Sequence, residues 1–160
     1  MASRHLSIAR LLSCAACVSG LILTGCGSAS AGRRGAAGTR ADFVAEAGRV
    51  CAATAKIGGS IRQPRDEAQL VVFFQSARSV ARSEVAKLSA LHPPSGKAGA
   101  YARYLAGLEE GVRLLERAAA AARRGEKAQV RAIVAEGNSL TQRNIANARS
   151  AGLQGCAKEG

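Results

Sequence analysis

The chain has 160 residues and carries 23 Lys and Arg against 11 Asp and Glu, a formal net charge of +12. That length suits one domain. Aromatic residues make up 3% of it, with no Trp, so stacking platforms for nucleic acid are scarce and the basic balance suggests attraction to anionic surfaces rather than base recognition.

Residues 1–10 carry Arg4, His5 and Arg10 with no acidic residue, and residues 11–23 form an apolar run. About thirteen apolar residues fall short of the roughly 20 needed to span a bilayer, and this charge and length pattern is that of a signal peptide. An uncleaved anchor is the rival reading, weakened by Ser13, Ser19 and Gly20 within the run. Cys14 and Cys17 have a C-x-x-C spacing. A redox motif of that kind needs a neighbouring strand-helix unit, and here the pair sits inside the apolar run.

Leu23-Thr24-Gly25-Cys26 follows directly. Small residues before a cysteine let an extended backbone enter a protease cleft, and the thiol can take a thioether-linked diacylglycerol. The stretch resembles the lipobox of bacterial lipoproteins. That resemblance implies cleavage before Cys26, lipidation of Cys26 with fatty-acyl chains such as palmitate, and a cell-membrane address on the extracytoplasmic side. The expected organisation is then a signal peptide over residues 1–25, a lipidated cysteine and flexible tether over 26–41, and a domain over 42–160. Loss of Arg4 and Arg10 takes the net charge from +12 to about +10. An exported basic domain meets headgroups and anionic envelope polymers instead of nucleic acid; a compositional bias toward Ala, Gly and Arg accounts for the charge equally well.

Residues 27–40 hold no apolar side chain larger than Ala. A flexible tether of about 14 residues spans roughly 20 Å. Arg33, Arg34 and Arg40 fall in it, within reach of headgroups, where each basic residue adds about 1 kcal/mol of attraction.

Helix signals begin at Thr39 and Asp42, a T-x-x-D capping arrangement with order expected from Asp42. Phe43, Ala47, Val50, Thr54, Ile57 and Ile61 then recur at helical spacing, with Cys51 at the edge of that stripe. Pro64 suits the start of a second helix, with Asp66 and Glu67 placed for its dipole. Leu70, Phe74, Ala77, Ala81, Val85 and Leu88 form its apolar face. His92-Pro93-Pro94 should stop it.

Tyr101, Leu105, Leu108, Val112, Leu115, Ala119 and Ala122 predict a regular third helix, in which Gly107 and Gly111 would allow close approach of another backbone. Outside membranes that G-x-x-x-G signal is weak. Arg123-Arg124-Gly125 ends it, Glu126 opens a fourth carrying Val130, Ile133, Val134, Gly137, Leu140, Ile145 and Ala148, and Gly152 terminates that one, leaving a tail that can turn back. The expected fold is all-α, an antiparallel up-down four-helix bundle.

Beyond Cys26 only Cys51 and Cys156 remain. In an oxidising compartment they predict one disulfide, and closing so long a loop contributes roughly 4 to 5 kcal/mol in the chain-entropy model. The rival readings, a metal pair or a reactive thiol, lack neighbouring His or acidic clusters.

Residues that would carry chemistry are sparse. His92 stands alone after cleavage, and there is no haem-attachment motif, no E-x-x-H pair and no methionine beyond Met1. Ser76, Ser79, Ser83 and Ser139 have no nucleophile-elbow context. Glu109, Glu110 and Glu116 lie among Arg113 and Arg117, a pattern of helix-surface ion pairing. No catalytic residue, cofactor or metal site is expected, and an enzyme is disfavoured.

Helix four alone departs from plain packing. Asn138, Ser139, Thr141, Gln142, Asn144 and Asn147 make it polar, and they either face solvent or line a small ligand site with help from Tyr101 and Tyr104, whose hydroxyls are expected at the rim.

The pattern of Ala41-Asp42-Phe43, Cys51, Leu91-His92-Pro93-Pro94, residues 101–105, Ala151-Gly152-Leu153 and Cys156 resembles a group of small bacterial secreted or lipid-anchored helical proteins, over residues 41–157. No activity comes with it. Two function classes follow: a non-enzymatic envelope lipoprotein whose surface binds a protein or anionic polymer, which is favoured, and a small-molecule binding or sensing lipoprotein with a polar pocket near helix four. An apolar interior without convergent polar groups favours the first; a cavity of a few hundred Å³ favours the second.

Overall fold

Thr39 caps the first helix. Its hydroxyl accepts from the Asp42 backbone N–H at 3.2 Å, and the Asp42 carboxylate accepts from the Thr39 N–H at 2.9 Å, a reciprocal cap. Helix α1, Arg40–Gly59, therefore begins two residues before Asp42, which sits at its third position instead of leading it. Hydrogen bonds from Thr39 hold the Asp42 carboxyl below its ordinary pKa. The computed structural model describes residues 39–158; the leader with Cys14 and Cys17, the lipobox with Cys26, and the tether up to residue 38 lie outside the described residues.

The second helix starts later than Pro64 suggests. Asp66 is extended and its side chain accepts from the Gln69 N–H at 3.0 Å, capping a 3-10 turn at Glu67–Gln69 that leads into α2, Leu70–Ser89. The carboxylate cap outweighs the proline signal. Helix α2 also ends before His92, which is an exposed connector residue. After a 3-10 turn at Ser95–Lys97 comes α3, Ala98–Arg123. Gly125, at φ 70°, lets the chain reverse at once into α4, Lys127–Ala151, because the left-handed region costs glycine little. Gly152, at φ 85°, ends α4 in the same way. No strand occurs among the described residues, and no described helix is long and apolar enough to cross a membrane.

The four helices pack against one another around two apolar clusters. One joins Phe43, Ala47, Val50 and Cys51 of α1 to Leu88 of α2, Tyr101 and Tyr104 of α3, and Ile145, Ala148 and Ala151 of α4, closed over by Leu153 and Ala157. Phe43 meets Tyr101 edge to face at 5.0 Å, and the Tyr101 hydroxyl donates to the Leu88 carbonyl at 2.6 Å. The same carbonyl accepts from the Leu91 N–H at 2.9 Å, so the hydroxyl adds a second bond at the end of α2. The second cluster joins Phe74 of α2, Leu114, Ala118, Ala119 and Ala121 of α3, and Val130 and Ile133 of α4.

Helix α1 contributes nothing to that second cluster. Its expected apolar stripe is buried only as far as Cys51, and Ile57 is 50% exposed, because no helix covers it there. The tail returns from α4 through a 3-10 turn at Gln154–Cys156 and packs on α1. Cys156 is bonded to Cys51, with Cα atoms 5.2 Å apart across a sequence separation of 105. The disulfide expected from counting cysteines is present, and it links α1 to the segment following α4.

Candidate functional site

Between the two clusters the helices carry small residues where a core would place large ones. Ala81 of α2, Gly111 of α3 and Gly137 of α4 leave space that no side chain fills, and a cleft of about 480 Å³ results. That volume is in the range of small-molecule sites. Phe73 and Phe74 wall one end, packed edge to face at 5.5 Å, with Leu108, Leu114, Leu115, Ile133 and Leu140 along the sides. The tail reaches the cleft through Cys156 and Lys158.

Its polar groups come from three helices. Asn144 of α4 is 8% exposed, and its Oδ1 is buried without a hydrogen-bond partner. Orphaned buried carbonyl oxygens are uncommon and call for a reason. Gly107 supplies the room, since a Cβ built there would lie 2.6 Å from Asn144 Cγ. Asn138 and Thr141 line the cleft as well, and the Thr141 hydroxyl donates to the Gly137 carbonyl at 3.0 Å. Of the polar residues singled out on helix four, these three reach the cleft, while Ser139, Gln142 and Asn147 do not line it.

Tyr104 lines it too, whereas Tyr101 does not. Both rings are core, but their hydroxyls are inside rather than at the rim: that of Tyr101 is spent on Leu88, and that of Tyr104 points to Cys51 Sγ at 3.7 Å. Burial raises the Tyr101 pKa to about 12. The Tyr104 pKa is raised further, by burial first and then by Glu84 and Tyr101.

Glu84 is the residue that sequence patterning missed. The periodic reading of α2 ran through Ala81 and Val85, yet it is Glu84 that faces the cleft, while Val85 lines a shallow groove with Arg82, Ala86, Glu109, Val112 and Arg113. The signal was available, because Phe74, Ala77, Ala81, Glu84 and Leu88 keep strict spacings of 3, 4, 3 and 4. Glu84 has no hydrogen bond or ion pair, and burial raises its pKa to about 7. A carboxylate withdrawn from water without a partner costs stability, and such groups gather at functional sites.

Most of the other described carboxylates are paired on the surface. Glu110 pairs with Arg113 within α3 at 2.6 Å, as the sequence suggests. Glu116 reaches Arg78 of α2 at 3.5 Å, and Arg117 reaches Glu136 of α4 at 3.2 Å, so these two pairs bridge helices instead of lying along one. Arg78 Nε is the other buried polar atom without a hydrogen bond; it does not line the cleft. The Gly107 and Gly111 spacing brings side chains close, Asn144 and Leu140, rather than another backbone. Among the described residues no group of three His, Cys, Asp or Glu is placed to hold a metal ion.

Neither a scan of protein-family models nor comparison with curated proteins and solved structures finds a match to the chain.

Proposed function

We propose that this protein is a lipid-anchored, extracytoplasmic, non-enzymatic module that binds a small molecule in the cleft between α2, α3 and α4. The observation that carries this reading is the convergence of Glu84, Tyr104 and Asn144 on one cavity of about 480 Å³, with no hydrogen-bond partner for Asn144 Oδ1. A surface scaffold has no use for an unpaired, half-buried carboxylate in an unfilled cleft. Both reduce stability and persist more readily where a ligand completes them.

The anchor in this proposal is Cys26, with diacylglycerol as the membrane contact and the signal peptide over residues 1–25 removed. Its support is the Leu23-Thr24-Gly25-Cys26 stretch behind a short apolar run. The basic surface adds attraction to anionic lipid or envelope polymer and no sequence-selective nucleic-acid binding. The proposed arrangement of the helices is antiparallel up-down. It is supported by a cluster that unites the early residues of α1 and α3 with the late residues of α2 and α4, and by the Cys51–Cys156 bond between the middle of α1 and the tail after α4.

The test is native mass spectrometry of the full chain, extracted in mild detergent from the envelope in which it is made. The expected result is a lipid-modified protein with a dissociable small-molecule adduct, the lipid lost in Cys26→Ser and the adduct lost in Asn144→Leu. Unmodified protein would refute the anchor, and adduct-free protein from the native envelope would refute the binding reading.

A further inference from the structure

We propose that the ligand of the cleft is an organic ammonium ion with an apolar body, its nitrogen seated against Glu84 and its body along the apolar wall that Leu108 and Leu140 form. This rests on the reading of the cleft as a small-molecule site and assigns the ligand class. Nearly every other described carboxylate has a partner: Glu46 pairs with Arg49, Glu67 with Lys127, Glu110 with Arg113, Glu116 with Arg78, Glu126 with Arg124 and Glu136 with Arg117, while Asp42 and Asp66 are bound by the caps they form. Only Glu84 and Glu109 have neither ion pair nor hydrogen bond among the described residues. Glu109 lies in the shallow α2–α3 groove beside Arg82 and Arg113; Glu84 is in the cleft, where the one cationic lining residue is the exposed tail Lys158. In a chain with twice as many basic as acidic residues, a carboxylate without a basic partner stands out.

The chemistry around Glu84 selects the class. An inorganic cation needs several oxygen ligands, and the surrounding wall is mainly apolar. An ammonium needs one carboxylate and a few acceptors. The Thr141 hydroxyl on the same cavity, already donating to Gly137, retains lone pairs to accept with, and Asn144 lines the cavity beside it with its Oδ1 turned into the Gly107 notch. The side chains of Leu108, Leu115 and Leu140 along the cleft suit its hydrocarbon. An anion would meet Glu84 without compensation, and a neutral alcohol would leave it without a counter-charge.

Burial already holds the Glu84 proton near neutrality. The groups facing it are Tyr104 of α3, neutral throughout the working range because its pKa is raised, the uncharged Asn138, Thr141 and Asn144 of α4, and Lys158 of the tail. Glu84 is therefore the group whose ionisation governs binding, and ammonium affinity should rise with pH through about 7.

The experiment is calorimetric titration of the full chain in detergent with phenethylammonium, 2-phenylethanol and 3-phenylpropionate, at pH 8 and pH 5.5. The expected result is that phenethylammonium binds about tenfold tighter than either other probe at pH 8 and loses about tenfold at pH 5.5, as the ionised fraction of Glu84 falls. Glu84→Gln should remove that advantage yet leave 2-phenylethanol binding in place, and Glu109→Gln should change nothing. Equal or tighter binding of the alcohol or the carboxylate overturns the ammonium assignment and leaves the site standing. Absence of binding by all three probes overturns the site itself.

Discussion

Asn144 occupies the space that a side chain at position 107 would need. Gly107 is the notch in α3 that admits an amide from α4, and its bare Cα lets Asn144 sit 8% exposed between the two apolar clusters. A glycine in mid-helix costs about 1 kcal/mol relative to alanine, so this local loss is accepted for the sake of one polar side chain.

Alanine substitutions at the two α3 glycines should therefore act in opposite directions. Gly107→Ala places Cβ against the Asn144 amide, and overpacking of that kind costs about 1 to 3 kcal/mol, which exceeds the gain in helix propensity. Gly111→Ala places Cβ 4.0 Å from Leu140, an ordinary contact, and should stabilise by about 0.5 to 1 kcal/mol. Denaturant unfolding of both variants checks the pair, and equal responses would show that the notch does not matter.

Stability should depend on pH through Glu84. Its folded pKa, about 7, lies above the usual 4.5, so the native state holds more protons than the unfolded state between those values, and its contribution to stability falls as pH rises through that window. Glu84→Gln should remove the loss, making the variant more stable than the parent by about 2 kcal/mol at pH 8 and by little at pH 4.5. Melting curves of both proteins at pH 4.5, 6 and 8 measure it. A parallel pH dependence in the two would contradict the burial of an unpartnered carboxyl.

Tyr101→Phe keeps the ring against Phe43 but deletes the bond to the Leu88 carbonyl. The Leu88 carbonyl keeps the bond from the Leu91 N–H at 2.9 Å, so the loss is that of one hydrogen bond, about 0.5 to 1.5 kcal/mol. Tyr104→Phe deletes only a 3.7 Å contact to sulfur, so it should cost less. Comparing the two unfolding midpoints is sufficient.

Reduction of Cys51–Cys156 should lower stability by up to about 4 to 5 kcal/mol on the chain-entropy estimate, with helicity largely retained. The effect should be local first. Helix α1 contributes only to the first cluster and is tied to the tail, so amide exchange should accelerate in α1 and residues 152–158 before it does in α3. Uniform acceleration across all four helices would contradict this.

What the sequence made legible was local or countable. Thr39 with Asp42, Gly125 and Gly152 announce helix ends because each acts through its own few neighbours. Cys51 and Cys156 could be paired because no third candidate remained in the domain. The polar character of helix four was visible too, although which amides turn inward was not, since that depends on the Gly107 notch across from Asn144. Glu84 is hidden from an apolar stripe that runs through Val85, because α2 lies between two neighbours and the residue facing the cleft follows the 3-4 spacing through Ala81. The exposed end of α1 was invisible for the opposite reason: Ile57 keeps the helical period, but no helix covers that turn.

The most direct test of the cleft as a binding site is a nuclear magnetic resonance titration of the isotope-labelled full chain in detergent with phenethylammonium at pH 8. The account predicts saturable shifts of the Asn144 side-chain amide and of the Gly107 and Gly137 backbone amides, with Ile57 and the groove residues Val85 and Val112 unmoved. Saturable shifts centred on Val85 and Val112, with Asn144 and Gly107 unchanged, would contradict it.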